Sequence, residues 1–369
     1  MTLRVTGKVV TPTGVIRQGC VEIEADRIRA VAEYPSVRDG HWIVPGFVDM
    51  HTHGGGGHTF TTGDVDSARE AAAFHLRHGT TTLLASLVSS PFGLMRDATV
   101  AYRPLVESGV LAGVHFEGPY LSAARCGAQN PEFLRDPSTE ELSELIELGA
   151  GAVRMVTLAP ERDGALAAIK LLTSHGVVAA VGHTDATWEQ TRAAVSAGAS
   201  VGTHLFNGMR PVHHREPGPV VALLDAPNVV CELVADGVHL HDGMLCFATS
   251  VAGPERTALI TDAMAAAGMP DGEYELGGQA VTVADGVARL SDGGAIAGST
   301  LTMDAALRHA VAAGIPMSDA CRMVATTPAR AIGLGDKVGS LQIGLRADLV
   351  VLDDDLNVVR VMRAGSWME

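Results

Sequence analysis

The stretch Val48-Asp49-Met50-His51-Thr52-His53 sets two imidazoles two residues apart, just ahead of the glycine run at 54–57. On an extended backbone residues i and i+2 point the same way, so both rings can face one site. Further on, isolated polar residues close otherwise apolar runs. Glu117 ends VLAGVHFE, His183 follows VVAAVG, and His204 ends ASVGTH with Asn207 close behind. Asp236 and His239 follow VVCELVA, and Asp262 follows TALIT. Imidazole nitrogens with a carboxylate form a ligand set suited to Zn2+, and also to Fe2+, Co2+ or Mn2+. A further carboxylate beside such an ion can take a proton from an activated water and return it to a leaving amine. The chemistry open to this set is hydrolysis of a C–N or C–O bond without a covalent enzyme intermediate.

Taken singly, each residue has an ordinary alternative. His-x-His pairs occur on surfaces, Glu117 could serve an ion pair, His183 and His204 could be satisfied core histidines, and Asp262 could cap a helix. Together they are harder to dismiss, because buried polar groups need partners and these fall at the same end of successive apolar runs. No G-x-S-x-G elbow competes with them. The glycine run leads into TFTTGD rather than a helix start, which argues against a dinucleotide site.

The elements that must position these residues follow from periodicity. Apolar runs at 80–86, 109–117, 152–158, 177–182, 200–204, 229–235 and 258–261 join the run ending at His51 to make eight. Helical stretches alternate with them at 67–78, 139–148, 165–175, 187–197 and 303–313. Alternating β and α predicts a parallel sheet with crossover helices, and eight strands suit a (β/α)8 TIM-type barrel; counting alone leaves a doubly wound sheet open. In a barrel every one of these polar strand ends meets at a single face. The two chain ends read differently, as short strands of period two, and are expected to join in a small β-sandwich. The expected division is 1–47 and 335–369 for the sandwich and 48–334 for the barrel.

Composition narrows the partners. The formal charge is −15 and no Lys/Arg run interrupts it, so nucleic acid is not expected. No run reaches the roughly 18–20 apolar residues of a membrane span. The first residues lack a secretory apolar core, and the five scattered cysteines form no C-x-x-C pair, so a reducing cytoplasmic location is expected.

Longer stretches sharpen the reading. HFEGPYL, CGAQNP, GHTDA, THLFNGMRP, REPG, ELVADGVHLH, TDAM and AGSTLTM, with the tail GSLQIGLRADLVVLD, resemble the N-acetylglucosamine-6-phosphate deacetylase family of the amidohydrolase superfamily over essentially the whole chain. The resemblance implies deacetylation of N-acetylglucosamine 6-phosphate to glucosamine 6-phosphate and acetate, in amino-sugar catabolism and cell-wall sugar recycling. It implies that Glu117, His183 and His204 hold one metal and that His51 and His53 hold a second, with Glu117 able to bridge. Asp262 is then the general base and acid, and His239 steadies the carbonyl oxygen. Sugar-phosphate contacts are implied for Asn207, Gly208, His214, Arg215, Ala128 and Ile296, Ala297 and Gly298. Arg215 is expected to reach the partner's site in a homodimer. Gln129 is implied as a further substrate contact, at a position where many relatives have a His that can take a charge, and Cys126 lies in what resembles a lid. Two rivals stay open at this point. A cyclic amidase would bridge its metals with a modified lysine, but Lys8, Lys170 and Lys337 all lie away from strand ends. A sugar-phosphate sensor would have no need of Asp262 as a proton carrier.

Overall fold

The computed structural model describes residues 2–36 and 40–368. Strands β1 (Thr2–Thr11), β2 (Gly14–Glu24), β3 (Arg27–Glu33) and β4 (Trp42–Pro45) come first. There follow β5 (Phe47–Thr52), the two-residue strands β6 (Gly54–Gly55) and β7 (His58–Thr59), α1 (Val65–Arg77), β8 (Thr80–Leu87) and α2 (Phe92–Glu107). The alternation continues through β9 (Gly113–Glu117), α3 (Thr139–Gly149), β10 (Val153–Leu158), α4 (Ala165–Ser174), β11 (Val178–Val181), α5 (Trp188–Ala197), β12 (Val201–Gly202), α6 (Gly218–Asp225), β13 (Val230–Val234), α7 (Asp242–Ala252) and β14 (Thr257–Ile260). A hairpin insert, β15 (Gly272–Leu276), β16 (Gln279–Ala284) and β17 (Val287–Leu290), precedes α8 (Met303–Ala312), α9 (Met317–Cys321) and α10 (Thr327–Ala331). The chain ends in β18 (Leu349–Leu352), β19 (Val358–Arg363) and β20 (Ser366–Trp367).

The eight expected central strands form one parallel sheet in the order β5-β8-β9-β10-β11-β12-β13-β14. Side chains and backbone bring its two edges together. The Thr261 hydroxyl donates to Asp49 Oδ2 over 2.5 Å, and the Asp262 N–H donates to the His51 carbonyl over 2.9 Å. Burial pushes the Asp49 carboxyl up to about 7, against its hydrogen bonds from Thr261 and His51. This closes the expected barrel. Every residue of β5, β8 and β9 is buried, as parallel strands covered on both faces require. Helix boundaries follow local chemistry: α5 begins at a reciprocal Thr187–Gln190 capping box and ends at Gly198 with φ +119°.

Both chain ends meet in a seven-stranded sheet, β20-β19-β18-β4-β1-β2-β3. Its side chains alternate in function. Val10, Val44, Val350 and Leu352 join the barrel core, while Val9, Ile43, Leu349 and Val351 build a second small core with Val21, Ile23 and Ile28. The sheet bends enough for the edge strand β3 to bond the segment before β18, with Ile28 N–H donating to Leu345 O and Gly344 N–H to Ile28 O. That curvature encloses the second core, as a sandwich does.

Periodicity did not announce α2, α6, α7 or the hairpin insert. Helix α2 contains Gly93 and Pro104, α6 opens on Pro217-Gly218-Pro219, and α7 carries Gly243 in its first turn. No helix among the described residues is long and apolar enough to cross a membrane.

Candidate active site

The polar strand ends converge at the C-terminal mouth of the barrel. Glu117 Oε1 lies 2.8 Å from His204 Nε2 and 3.2 Å from His183 Nε2, and those two nitrogens are 3.0 Å apart. His51 Nε2 and His53 Nε2 are 3.2 Å apart, and His53 Nε2 is 3.2 Å from Asp262 Oδ1. Glu117 Oε2 lies 3.3 Å from His53 Nε2, so the carboxylate stands between the two triads. All six residues are buried. Two three-residue groups able to hold a cation result: Glu117 with His183 and His204, and His51 and His53 with Asp262.

The donor set can be tested against that idea. His183 Nδ1–H donates to the Arg125 carbonyl over 2.9 Å, His53 Nδ1–H to the Ser86 carbonyl over 3.1 Å, and His51 Nδ1–H to Glu232 Oε2 over 3.1 Å. Each outward bond fixes the tautomer and leaves the Nε2 lone pair aimed inward, the arrangement of metal-ligating histidines. Ligand atoms sharing one tetrahedral ion at about 2.0–2.1 Å lie about 3.3 Å apart, close to the separations seen. The electrostatics agree. Burial alone would lower the basicity of His53, but Asp262 and Glu117 outweigh it and push the ring up to about 9. Burial would raise Asp262, but His51 and His53 hold it down to about 2. Such mutual shifts describe a pocket of carboxylates that calls for positive charge.

Backbone strain marks the same places. His183 (φ +44°), His204 (φ +26°) and Asp262 (φ +50°) all adopt left-handed conformations where their strands end. The glycines make room for them: a Cβ on Gly208 would sit 2.8 Å from His183 Nδ1, and one on Gly298 2.9 Å from the Asp262 carbonyl. The run after His53 is a tight hairpin. Gly54–Gly55 pairs with His58–Thr59, and the turn residues Gly56 and Gly57 both have positive φ. A Cβ on Gly55 would strike Phe74 and His75 of α1.

Over the metal-ligand groups lies a cavity of about 220 Å³. Its wall includes Gly127, Ala128, Gln129, Asn207, Gly208, His239, Ile296 and Gly298 besides His53, Glu117, His183, His204 and Asp262. Ala297 turns instead into the apolar cluster under the hairpin insert. His214 and Arg215 are exposed and outside that wall, with Arg215 Nη1 2.7 Å from His214 Nε2. Cys126 is half-buried and also outside it, while its neighbour Arg125 orients His183. His239 Nδ1–H donates to Asp236 Oδ2 over 2.6 Å. Burial opposes charge on His239, but Asp236 outweighs it and raises the ring, which keeps an Nε2–H donor available to the cavity.

Several residues escaped the sequence reading. Glu232 is wholly buried and accepts from both His51 Nδ1 and the His204 N–H. Its signal was a lone carboxylate inside the apolar run VVCELVA. His115 is buried beside His51, bonded to Ser86 Oγ and Thr157 Oγ1. It stands two residues before Glu117, on the same face of β9. The hairpin insert contributes Leu276 to the cavity and holds the Ala128 carbonyl through Gln279 Nε2.

Residues 42–368 match the amidohydrolase family. The chain belongs to the amidohydrolase family. Among its relatives, N-acetylgalactosamine-6-phosphate deacetylase of Escherichia coli O157:H7 is 38% identical, the match covering 97% of each chain. N-acetylglucosamine-6-phosphate deacetylase of Bacillus subtilis (strain 168) is 35% identical over 97% of this chain and 94% of its own. A solved structure of N-acetyl-D-glucosamine-6-phosphate deacetylase from Mycobacterium smegmatis superposes with a TM-score of 0.96, at 49% identity and 99% coverage of both chains. That relative was solved as an Asp-to-Ala variant in complex with N-acetyl-D-glucosamine-6-phosphate.

Proposed function

We propose that this chain hydrolyses the acetamido group of N-acetylglucosamine 6-phosphate, releasing glucosamine 6-phosphate and acetate. The observation that carries the reading is the Glu117–His183–His204 triad set against Asp262 and His239 in one cavity. It is supported by relatives of the same named activity across nearly the full chain. The reaction places the protein in amino-sugar catabolism.

Glu117, His183 and His204 would hold one divalent ion, and His51 and His53 a second, with Asp262 at its edge. Nitrogen-rich sets of this kind favour Zn2+, with Fe2+, Co2+ and Mn2+ as competitors. When bound, such an ion lowers the pKa of water to about 7 and polarises a carbonyl. The chain's own groups do the rest. Asp262 accepts the proton of the attacking water and hands it to the departing nitrogen. His239 Nε2–H donates to the amide oxygen as charge develops there, and Asp236 keeps that donor oriented. Gln129 and Glu232 hold Glu117 and His51 in place.

The phosphate raises a demand that one chain does not meet. Among the described residues no Lys or Arg lines the cavity. A second copy supplies one: Arg215 is exposed, and Val212, Met244, Phe247 and Val251 are exposed apolar residues on its loop and on α7. Residues 244, 247 and 251 share one helical face, the pattern of a contact surface. A homodimer in which Arg215 reaches the partner's cavity accounts for both features.

A second substrate reading has a specific basis, since one of the relatives acts, by its name, on the galacto epimer. Acetate release should be measured from both 6-phosphates and from unphosphorylated N-acetylglucosamine. Preference for the gluco 6-phosphate is expected. Faster release from the galacto epimer would reassign the substrate, and no release from either would overturn the reading.

A further inference from the structure

A second cavity, of about 170 Å³, opens at the other end of the barrel, where strands begin rather than end. Thr82 at the start of β8, Ala112 before β9 and Arg154 at the start of β10 contribute to its wall. Against a chain of net charge −15, its cationic side chains stand out: Arg154, Lys337, Arg346 and Arg363 all line it. Arg346 is spoken for, through Asp348 Oδ2 at 2.8 Å and Thr82 Oγ1 at 3.0 Å. Among the described residues the remaining three form no ion pair with a carboxylate, although Asp348 lies near enough to Arg363 to support its charge. Arg363 reaches only the carbonyls of Gly109 and Val110. Among the described residues Arg154 and Lys337 have no side-chain hydrogen bond or ion pair, and Arg154 Nε is buried without a partner there.

Arg154 and Arg363 are half-buried in the wall, while Lys337 is exposed at its rim. The Arg154 stem runs across Gly113, where a Cβ would fall 2.1 Å from Arg154 Cγ. Glycine there is what lets the side chain lie down into the cavity. Burying a guanidinium N–H with no acceptor is costly, and charges in close company are more so. Burial lowers the Arg363 guanidinium, and Arg346 lowers it further. An anion with several acceptor oxygens relieves both penalties at once, and arginine forks match phosphate oxygens in geometry.

We infer that this basal cavity binds a phosphate group, inorganic or carried by a small metabolite, between Arg154, Lys337 and Arg363. The bound group links β10 of the barrel, the segment after α10, and β19 of the end sheet. It is separate from the catalytic mouth, which lies at the opposite ends of the same strands.

The test is calorimetric titration of the metal-loaded protein with inorganic phosphate and with glucose 6-phosphate, in an Arg215→Ala background that weakens the proposed catalytic phosphate contact. One saturable phosphate per chain is expected, with a rise in melting temperature on binding. Whichever ligand binds more tightly names the source. Arg154→Ala and Lys337→Ala should each raise Kd about tenfold or more while leaving kcat/KM of the otherwise wild-type enzyme unchanged. Gly113→Ala, which displaces Arg154 without removing charge, should weaken binding similarly; if it fails to fold, the two charge variants decide alone. No saturable binding in the Arg215→Ala background, binding indifferent to Arg154→Ala, or chloride binding as tightly as phosphate would each overturn the inference.

Discussion

Gln129 Nε2–H donates to Glu117 Oε2 over 2.6 Å, while Gln129 Oε1 accepts from the Ser89 N–H over 2.6 Å. The amide is therefore fixed at both ends, and its job is to hold a carboxylate rather than to titrate. Gln129 is buried, so the bond is shielded from water. Replacing the amide by an apolar side chain of similar size frees Glu117 Oε2. Gln129→Leu should lower divalent-metal affinity by about 10–100-fold, the usual effect of losing a ligand's outer partner. Competition with a chromophoric chelator measures it. Unchanged metal affinity would show that Glu117 needs no such support.

Asp262 faces the cavity at the edge of the second triad, 3.2 Å from His53 Nε2. Asp262→Asn keeps the shape and an oxygen donor but removes the base. Turnover should fall by about 10²–10⁴-fold, the range for a positioned acid–base group. Bound metal at the Glu117 triad, measured by elemental analysis, should persist. Substantial retained turnover would remove Asp262 from the proton path.

The Asp236–His239 bond carries a pH dependence. Asp236 raises His239 above its ordinary value, so the ring stays a charged donor through the lower pH range and loses that charge as pH rises through the raised value. Activity that depends on the charged ring should therefore decline on the alkaline side. Asp236→Asn withdraws the stabilising carboxylate, and the alkaline limb of kcat/KM should move to lower pH. A limb that stays in place would mean that another group sets it.

Asp262 and Arg215 make the dimer testable through complementation. An Asp262→Asn chain still offers Arg215, and an Arg215→Ala chain still offers Asp262. If Arg215 serves the partner's cavity, a mixed dimer rebuilds one intact site. A two-fold dimer re-formed from equal amounts of both chains should recover about a quarter of wild-type activity. Recovery no greater than the sum of the two variants would confine Arg215 to its own chain or remove it from the site.

The catalytic mouth was legible in the sequence because its residues interrupt apolar runs. His51, His53, Glu117, His183, His204 and Asp262 are polar where a buried strand should be apolar, and period two gave their direction. Glu232 and His115 carry the same signal within a strand rather than at its end, and so were passed over. Gln129 stood out as a substrate position, but its hold on Glu117 could not be read, since that pairing is fixed by the fold and not by spacing. The basal cations lie far apart in the chain, and only packing of the end sheet on the barrel gathers them. Helix α7 hid for a different reason: exposed Met244, Phe247 and Val251 blur the contrast between its faces.

Asp304 joins the last turn of the barrel to the first. Its carboxylate accepts from His78 Nδ1 at the end of α1 over 3.1 Å and from Arg308 Nη1 over 2.9 Å, and Arg308 also donates to the Leu356 carbonyl. The side chain is only 8% exposed. Burial would raise its pKa, but the bonds from His78 and Thr302 and the charges of His78 and Arg308 hold it well below the usual carboxylate range. A carboxyl depressed in the folded state binds fewer protons there than in the unfolded chain, whose value is about 3.9. Its contribution is thus complete above about pH 5 and fades as pH falls toward the depressed folded value. Asp304→Asn should lower stability by about 2 kcal/mol near neutral pH, the scale of a hydrogen bond to a charged group. The gap in melting temperature between wild type and variant should narrow steadily from about pH 5 downward. A gap that stays constant to pH 3 would show that the ionised carboxylate is not what ties α8 to α1.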